Sequence, residues 1–333
     1  MSERTEQSGL LGGVTQGSLG RNWYRFKRGW RRFRNHRLGV VGLSFLVLLV
    51  FVAIFAPYLA PHSTEWQAPN SVSASGESKC DSLDCLAEES EKKGSISHPE
   101  SPRFGEPYFA PLGTDHRGHD VLSRLIYGTR ITLYIGIAAG VLSSLVGIPI
   151  GLVSGFYGDT WIDELIQRVV DIIYSLPFLP LMIVLVGVFG VSTTNIIIAI
   201  VLKSWLNNAI VIRGQTLTLK ERSYIESAQV AGASDTRIIF RHILPNVLPL
   251  GFVYLAQDAA IAIIAQASLA FLGYADISKI SWGTMLQWVQ VTGHIFDAPW
   301  WMIPPGLLIT AIAASFYFVG YSLEDVTNPH MDN

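Results

Sequence analysis

In the stretch "GFVYLAQDAAIAIIAQ", residues 251–266, one acid, Asp258, stands in an otherwise uncharged run. A carboxylate in such surroundings is a candidate functional group, or it could partner Gln257 or a polar group on a neighbouring helix, because a charge removed from water needs compensation. Lys203, in "IIIAIVLKSWLNNAIVI", is the comparable base, placed to snorkel along its stem or to face an aqueous path. The two cysteines, Cys80 and Cys85, are close enough for a local disulfide worth roughly 2 kcal/mol in the chain-entropy model. Free thiols, or a metal site shared with His62 or His98, are the alternatives. No lysine follows a glycine, so a phosphate-cradling Gly-Lys loop is missing, and neither His-Glu-x-x-His nor Gly-x-Ser-x-Gly occurs. These residues predict no catalytic site, no resident metal and no bound cofactor.

The elements that carry these residues are apolar and long. Half of the 333 residues are hydrophobic and 15% are charged, and the mean hydropathy is +0.35. This composition predicts an all-α integral membrane protein rather than a soluble helical one. A bilayer core of about 30 Å needs about 20 mostly apolar residues per helix. Six spans of that kind are expected: Leu38–Ala56, Ile131–Phe156, Ile172–Gly190, Asn195–Ile212, Asn246–Gly273 and Trp301–Tyr321.

Basic residues orient them. Eight Lys or Arg and no acid lie between Arg21 and Arg37, which predicts a cytoplasmic N-terminus. Trp23, Tyr24, Phe26, Trp30 and Phe33 interleave with them. That mixture reads as a basic amphipathic helix on membrane lipid, and not as a nucleic-acid site. Between Pro57 and Asp120 eleven acids face five bases, as expected outside, where a disulfide can persist. Arg213, Lys220, Arg222, Arg237 and Arg241 put the polar segment near Glu226 inside; only Asp159–Arg168, richer in acid than base, runs against the pattern. Both ends are therefore expected in the cytoplasm. The apolar run after Arg37 starts too late and is too long for a signal-peptide core, so it reads as an anchor.

The organisation expected is a basic segment over 1–37, a first span over 38–56, an external loop over 57–130, a five-helix core over 131–322 and a tail over 323–333. Within the loop, residues 63–103 are poor in large apolar side chains and read as a flexible insertion. "PLGTDHRGHDVLSRLIYGTRITL", from Pro111, reads as a turn followed by a helix. A cytoplasmic loop over 213–245 interrupts the core.

That loop contains "SYIESAQVAGASDTRIIFRHILPN", residues 223–246. Ser223 and Glu226 have capping-box spacing, with the serine oxygen on an N3 amide and the Glu226 carboxylate returning to the Ser223 amide. Ile225, Ala228 and Ala231 or Gly232 share a small apolar stripe fit to lie against another protein. Gly232 suits the left-handed position that ends a helix. Ser234 and Asp235 offer a second N-cap, and Pro245 suits the first turn of the fifth span after a break at Leu244. The segment is thus predicted as helix, glycine bend, helix, proline, membrane.

The same stretch is similar to the cytoplasmic coupling loop of binding-protein-dependent ABC transporter permeases, patterned Glu-Ala-Ala, three residues, Gly, nine residues, Ile-x-Leu-Pro. Glu226, Ala228, Gly232, Leu244 and Pro245 match, whereas Ser227 and His242 depart from it. Three further segments in the same order, "PLGTDHRGHDVLSRLIYGTRITL", "SGFYGDTWIDELIQRVVDIIYSLP" and "SLAFLGYADISKISWGTML", resemble the C-type subunit of dipeptide, oligopeptide and nickel permeases. Gln266 stands where that family often has Glu, and "ADISKI" replaces a proline-rich turn.

The resemblance implies a type I importer permease fold whose coupling loop includes Ser223, Glu226, Ser227, Ala228, Gly232, Ala233, Leu244 and Pro245. It implies a translocation path that could involve Asp258 and Gln266. The implied partners are a homologous B-type permease, two ABC ATPase subunits that hold ATP and magnesium, and an extracytoplasmic solute-binding protein. Dipeptides or oligopeptides are the implied solutes, with nickel or another small solute as the alternative. An ion-gradient-driven transporter or channel would instead show inverted repeats and paired midplane charges, and no convincing repeat is visible.

Overall fold

The computed structural model describes residues 31, 33–68, 99–105 and 108–327. Most of the basic N-terminal cluster, together with Cys80, Cys85 and His98, lies outside them.

The helices follow the apolar runs, and their ends are set by local chemistry. Helix α1, Arg37–Ile54, is followed by the single turn α2, Ala56–Leu59. A short antiparallel pair, β1 Arg103–Gly105 and β2 Tyr108–Ala110, leads towards the long α3, Val121–Phe156. The Asp120 carboxylate starts α3 by accepting from the amides of Leu122 (3.3 Å) and Ser123 (2.9 Å). At 36 residues and about 1.5 Å per residue, α3 exceeds the bilayer core and extends well before the expected start at Ile131. It also closes off the C-terminal end of α1. Arg130 Nε and Nη2 donate to the carbonyls of Ala53 (2.6 Å) and Ile54 (3.1 Å), which have no onward helical partner.

The third expected span, Ile172–Gly190, is not one rod. Helices α4, Trp161–Ser175, and α5, Phe178–Phe189, meet at 90°. Pro177 causes the break: it has no amide hydrogen, and its ring pushes Leu176 into an extended conformation (φ −76°, ψ 133°). Lys203 closes the corner by donating its ammonium to the carbonyls of Tyr174 (3.3 Å) and Leu176. The ammonium also lies 5.7 Å from the centre of the Tyr174 ring.

Helix α6, Thr193–Lys220, starts at Ser192, whose hydroxyl accepts from the Asn195 amide at 3.2 Å. It continues eight residues past the expected end at Ile212, to Lys220. Its tight packing on α3 comes from small residues. A Cβ placed on Gly147, Gly151 or Gly155 would lie 2.5, 2.6 or 2.7 Å from the carbonyl oxygens of Trp205, Ala209 and Arg213 respectively. Both helices advance four residues per contact, which lets the backbones touch along three turns.

Helix α7 is Ser223–Val230. A continuous rod follows, made of α8 (Asp235–Ile238), a π-helical turn (Ile239–Ile243) and α9 (Leu244–Phe271). The loop after α9 holds a short helix that hydropathy did not predict, α10, Trp282–Val291, started by a Ser281/Thr284 capping box. Trp282 anchors it: its indole donates to the Leu125 carbonyl at 2.9 Å, and its amide donates to the Thr132 hydroxyl at 3.3 Å. The last helix, α11, is Pro299–Thr327. Among the described residues five helices are long and apolar enough to cross a membrane, or six if the bent α4–α5 pair is one span.

Candidate functional site: the elbow and the buried polar groups

Helix α7 ends in a complete Schellman motif. The Gly232 amide donates to the Gln229 carbonyl (2.9 Å) and the Ala233 amide to the Ala228 carbonyl (3.0 Å). This closure needs Gly232 at φ +80°, as expected.

The start of α7 differs from the expected capping box. Arg222, not Ser223, takes the N-cap (φ −78°, ψ 138°), because its carbonyl already accepts from the amides of Ile225 (2.8 Å) and Glu226 (3.2 Å). Glu226 therefore sits one position too far along the helix to reach back, and neither side chain makes a capping bond. Its carboxylate still lies in the first turn, where the helix dipole favours it. Ser234 does occupy the N-cap of α8, without a side-chain bond.

The small apolar stripe is also divided. Ile225 is fully buried within this chain, among Leu152, Phe156, Ile212, Ile238, Ile239, Ile243 and Val247. It anchors the elbow instead of facing outward. The outward face is carried by Tyr224, Val230 and Phe240, with Val230 91% exposed; Glu226, Ser227, Ala231 and Gly232 are exposed beside them, and Ala228 and Ala233 are half-buried.

No second bend occurs at Leu244–Pro245. Pro245 lies in the first turn of α9 and cannot donate an amide hydrogen, but the wide π turn before it carries the helix through: the Leu244 amide reaches back to the Ile239 carbonyl. Asn246 Nδ2 supplies a further donor to the His242 carbonyl at 2.5 Å. A bend at Gly232 therefore leads directly into a stiff rod from Asp235 to Phe271.

The elbow is tied to the helices beneath it. Tyr157, just after α3, donates its hydroxyl to the Asp235 carboxylate at 3.2 Å. Asp163, near the start of α4, is clamped by Arg213 of α6 through two bonds of 2.8 and 2.7 Å, and also accepts from Ser154 of α3 at 2.5 Å. Asp163 and Arg213 are 50 positions apart, and composition had shown Asp163 only as part of an acid-rich loop.

In mid-bundle Asp258 is almost fully buried, and its partner is Asn208 of α6, whose Nδ2 donates to Asp258 Oδ2 at 2.7 Å, rather than the adjacent Gln257. Gln266, buried on the same helix, donates to the Ser281 hydroxyl at 3.1 Å, which links α9 to the cap of α10. The structure does not bring Asp258 and Gln266 together: they are eight residues apart along α9 and have separate partners.

At the end of the bundle opposite the elbow, the turn around Asp115 is heavily cross-linked. Its carboxylate accepts from the amides of Arg117 (2.8 Å) and His119 (2.9 Å), from the His119 ring (3.0 Å) and from Arg124 (2.8 Å). Burial works to raise its pKa, but the His119 hydrogen bond and the Arg124 charge together hold it below the ordinary value. His116 stacks on Trp288 and Trp301, with ring centroids 5.1 and 5.4 Å away. Burial pushes the His116 imidazole down to about 4. His62 stacks on Trp66 at 3.7 Å. Among the described residues no group of three or more His, Cys, Asp or Glu could hold a metal.

Residues 147–333, which include the elbow and the rod, match the family model described as the inner membrane component of binding-protein-dependent transport systems. The chain belongs to that family. Residues 23–74 also match the N-terminal transmembrane domain of oligopeptide transport permease C. The glutathione transport system permease protein GsiD of Pectobacterium atrosepticum is 32% identical over 93% of this chain and 91% of its own length. The dipeptide transport permease DppC of Bacillus subtilis is 30% identical over 91% and 85%. The oligopeptide transport permease OppC of the same organism is 32% identical over 90% and 88%.

A chain of the MetNI methionine ABC transporter shares the fold with a TM-score of 0.51 at 18% identity, covering 62% of this chain and 97% of that one. The protein is thus a multi-pass inner-membrane permease subunit of an ABC importer, a transport component and not an enzyme. Membership in a binding-protein-dependent system implies ATPase and solute-binding partners.

Proposed function

We propose that this subunit is one half of an ATP-driven importer of dipeptides or oligopeptides, and that residues 221–245 receive the stroke of the ATPases. The observation that carries the coupling role is the Schellman bend at Gly232, leading without a second break into the 37-residue rod from Asp235 to Phe271. A push on the exposed Tyr224–Val230 face would be delivered through one bend to the middle of the bundle. Ser223, Ser227, Ala228, Ala233, Leu244 and Pro245 shape that lever, and Glu226 is an exposed charge in its first helix. The peptide reading rests on the printed functions of the dipeptide and oligopeptide relatives.

In this reading a homologous B-type permease completes the path, two ABC ATPases bind ATP and magnesium, and an external binding protein delivers solute. The bases around the elbow support a cytoplasmic position for it and for both termini. Asp258 and Gln266 lie along the helix that moves. ATP binding can shift the permease between its two facings only as far as the closed ATPase pair prefers one elbow position.

The test is uptake of a labelled dipeptide, with ATP hydrolysis measured in parallel, in the reconstituted complex. Gly232→Pro or Glu226→Arg is expected to leave insertion and assembly intact while uptake falls and hydrolysis loses its dependence on the binding protein. Wild-type uptake by either variant at equal expression overturns the assigned role.

A further inference from the structure

Asp258 lies midway along α9, and Asn208 lies midway along α6. Beside them is a cavity of about 280 Å³ lined by Tyr174, Asn207, Tyr254, Gln257 and Asp258, with Ile210, Val211 and Ile261 completing its wall. On α9 the stripe Tyr254, Gln257/Asp258, Ile261 recurs at helical spacing, and on α6 so does Asn207, Ile210/Val211. Tyr254, Gln257 and Asp258 at mid-helix on α9, with Asn207 on α6, would be costly against lipid, where nothing satisfies them. They belong against a wet or polar surface.

The hydrogen-bond inventory indicates what is missing there. Among the described residues Asn208 Nδ2 is the one donor to the Asp258 carboxylate; Asn208 is itself fully buried and is not part of the cavity wall. The carboxylate at the cavity wall therefore has acceptor capacity in excess of its donors. An alcohol or a neutral amide would give it a donor but no counter-charge. A primary ammonium, with three donors and a positive charge, supplies both the hydrogen bonds and the counter-charge. The volume lies just under the usual range for small-molecule pockets, as suits a half-site that a partner subunit would close.

We propose that Asp258, held by Asn208 and flanked at the cavity wall by Asn207, Gln257 and Tyr254, forms a mid-membrane subsite for the protonated amino group of the transported solute. This rests on the reading of the chain as a peptide importer, since a peptide carries such a group. Asp258 would offer a passing cation a transient counter-charge halfway through the bilayer, and its bond to Asn208 holds the carboxylate in place for that contact.

The experiment uses the complete transporter in proteoliposomes, with this chain carrying Cys80→Ser and Cys85→Ser. In that background Gln257→Cys places a thiol in the cavity. It is probed with the cationic reagent 2-aminoethyl methanethiosulfonate and the anionic reagent 2-sulfonatoethyl methanethiosulfonate. The thiol is expected to react about tenfold faster with the cation, the order set by one weakly screened charge nearby, and Asp258→Asn is expected to abolish that preference. In parallel, Asp258→Asn in the otherwise wild-type chain should reduce dialanine uptake about tenfold at unchanged complex yield and Tm, with Asp258→Glu restoring much of it.

A thiol that neither reagent reaches, a preference that survives Asp258→Asn, or a loss of uptake accompanied by a lower Tm would overturn the subsite. Absence of dialanine uptake by the wild type, with the cation preference intact, would overturn the peptide reading and leave the amine site standing.

Discussion

Asp163 and Arg213 form a two-pronged ion pair, at 2.8 and 2.7 Å, between the start of α4 and the elbow end of α6. Arg213 is also the residue whose carbonyl is approached by Gly155 of α3, and Ser154 beside that glycine donates to the same carboxylate. One carboxylate thus ties three helices together directly beneath the elbow.

Removing one member should leave the other partly buried and uncompensated. Asp163→Asn or Arg213→Gln is expected to destabilise the purified complex by about 1–3 kcal/mol, less than for a fully buried pair because Arg213 is about a quarter exposed. The double variant should cost less than the sum of the two single changes. Thermal unfolding of all four species gives the coupling energy.

The contact between α3 and α6 should tolerate no added methyl group where backbone faces backbone. Gly151→Ala puts a Cβ 2.6 Å from the Ala209 carbonyl oxygen, whereas a Cβ on Gly214 would meet nothing within 4 Å. Gly151→Ala should lower stability by about 1–3 kcal/mol through forced separation of the helices. Gly214→Ala should be neutral or stabilising by up to about 1 kcal/mol, because it only removes glycine's excess backbone freedom. Tm values of the two complexes decide this.

The main spans were legible because the bilayer demands a long apolar run, and such runs are visible residue by residue. The 90° corner was not: Pro177 sits inside a continuous greasy stretch, and hydropathy records length without direction. Gly232 was legible as a bend because a left-handed position selects glycine. The capping box was misread by one residue because Arg222 is an ordinary side chain whose backbone, shaped by the preceding turn, takes the cap. Asp258 stood out as an acid in an apolar run, but its partner Asn208, 50 positions away, could not be chosen from the many polar residues. The clamp between Asp163 and Arg213 is hidden for the same reason: pairing across helices depends on register, which composition does not carry.

The His116 stack should make the end opposite the elbow acid-sensitive. Its folded pKa, about 4, lies below the ordinary 6.5. Between these values the unfolded chain binds more protons than the folded one, so stability falls as pH drops below about 6.5 and the loss levels off near 4. From pH 7.5 to 5 the loss should be about 2 kcal/mol. In His116→Gln that component of the pH dependence should vanish. Thermal unfolding of both proteins across this range measures it.

The elbow separates anchoring from docking, and two substitutions on α7 should separate them experimentally. Ile225 is fully buried beneath the elbow while Val230, five residues later, is 91% exposed. Ile225→Ala empties part of an internal core and should cost about 2–5 kcal/mol, seen as a lower Tm and easier proteolysis around residues 221–234. Val230→Asp changes no internal contact and should shift stability by no more than about 0.5 kcal/mol. If the Val230 face meets the ATPase, Val230→Asp should nevertheless weaken co-purification of the ATPase subunits and lower uptake. Unchanged association and uptake in Val230→Asp would remove that face from the interface, while the outcome at Ile225 would still test the anchor.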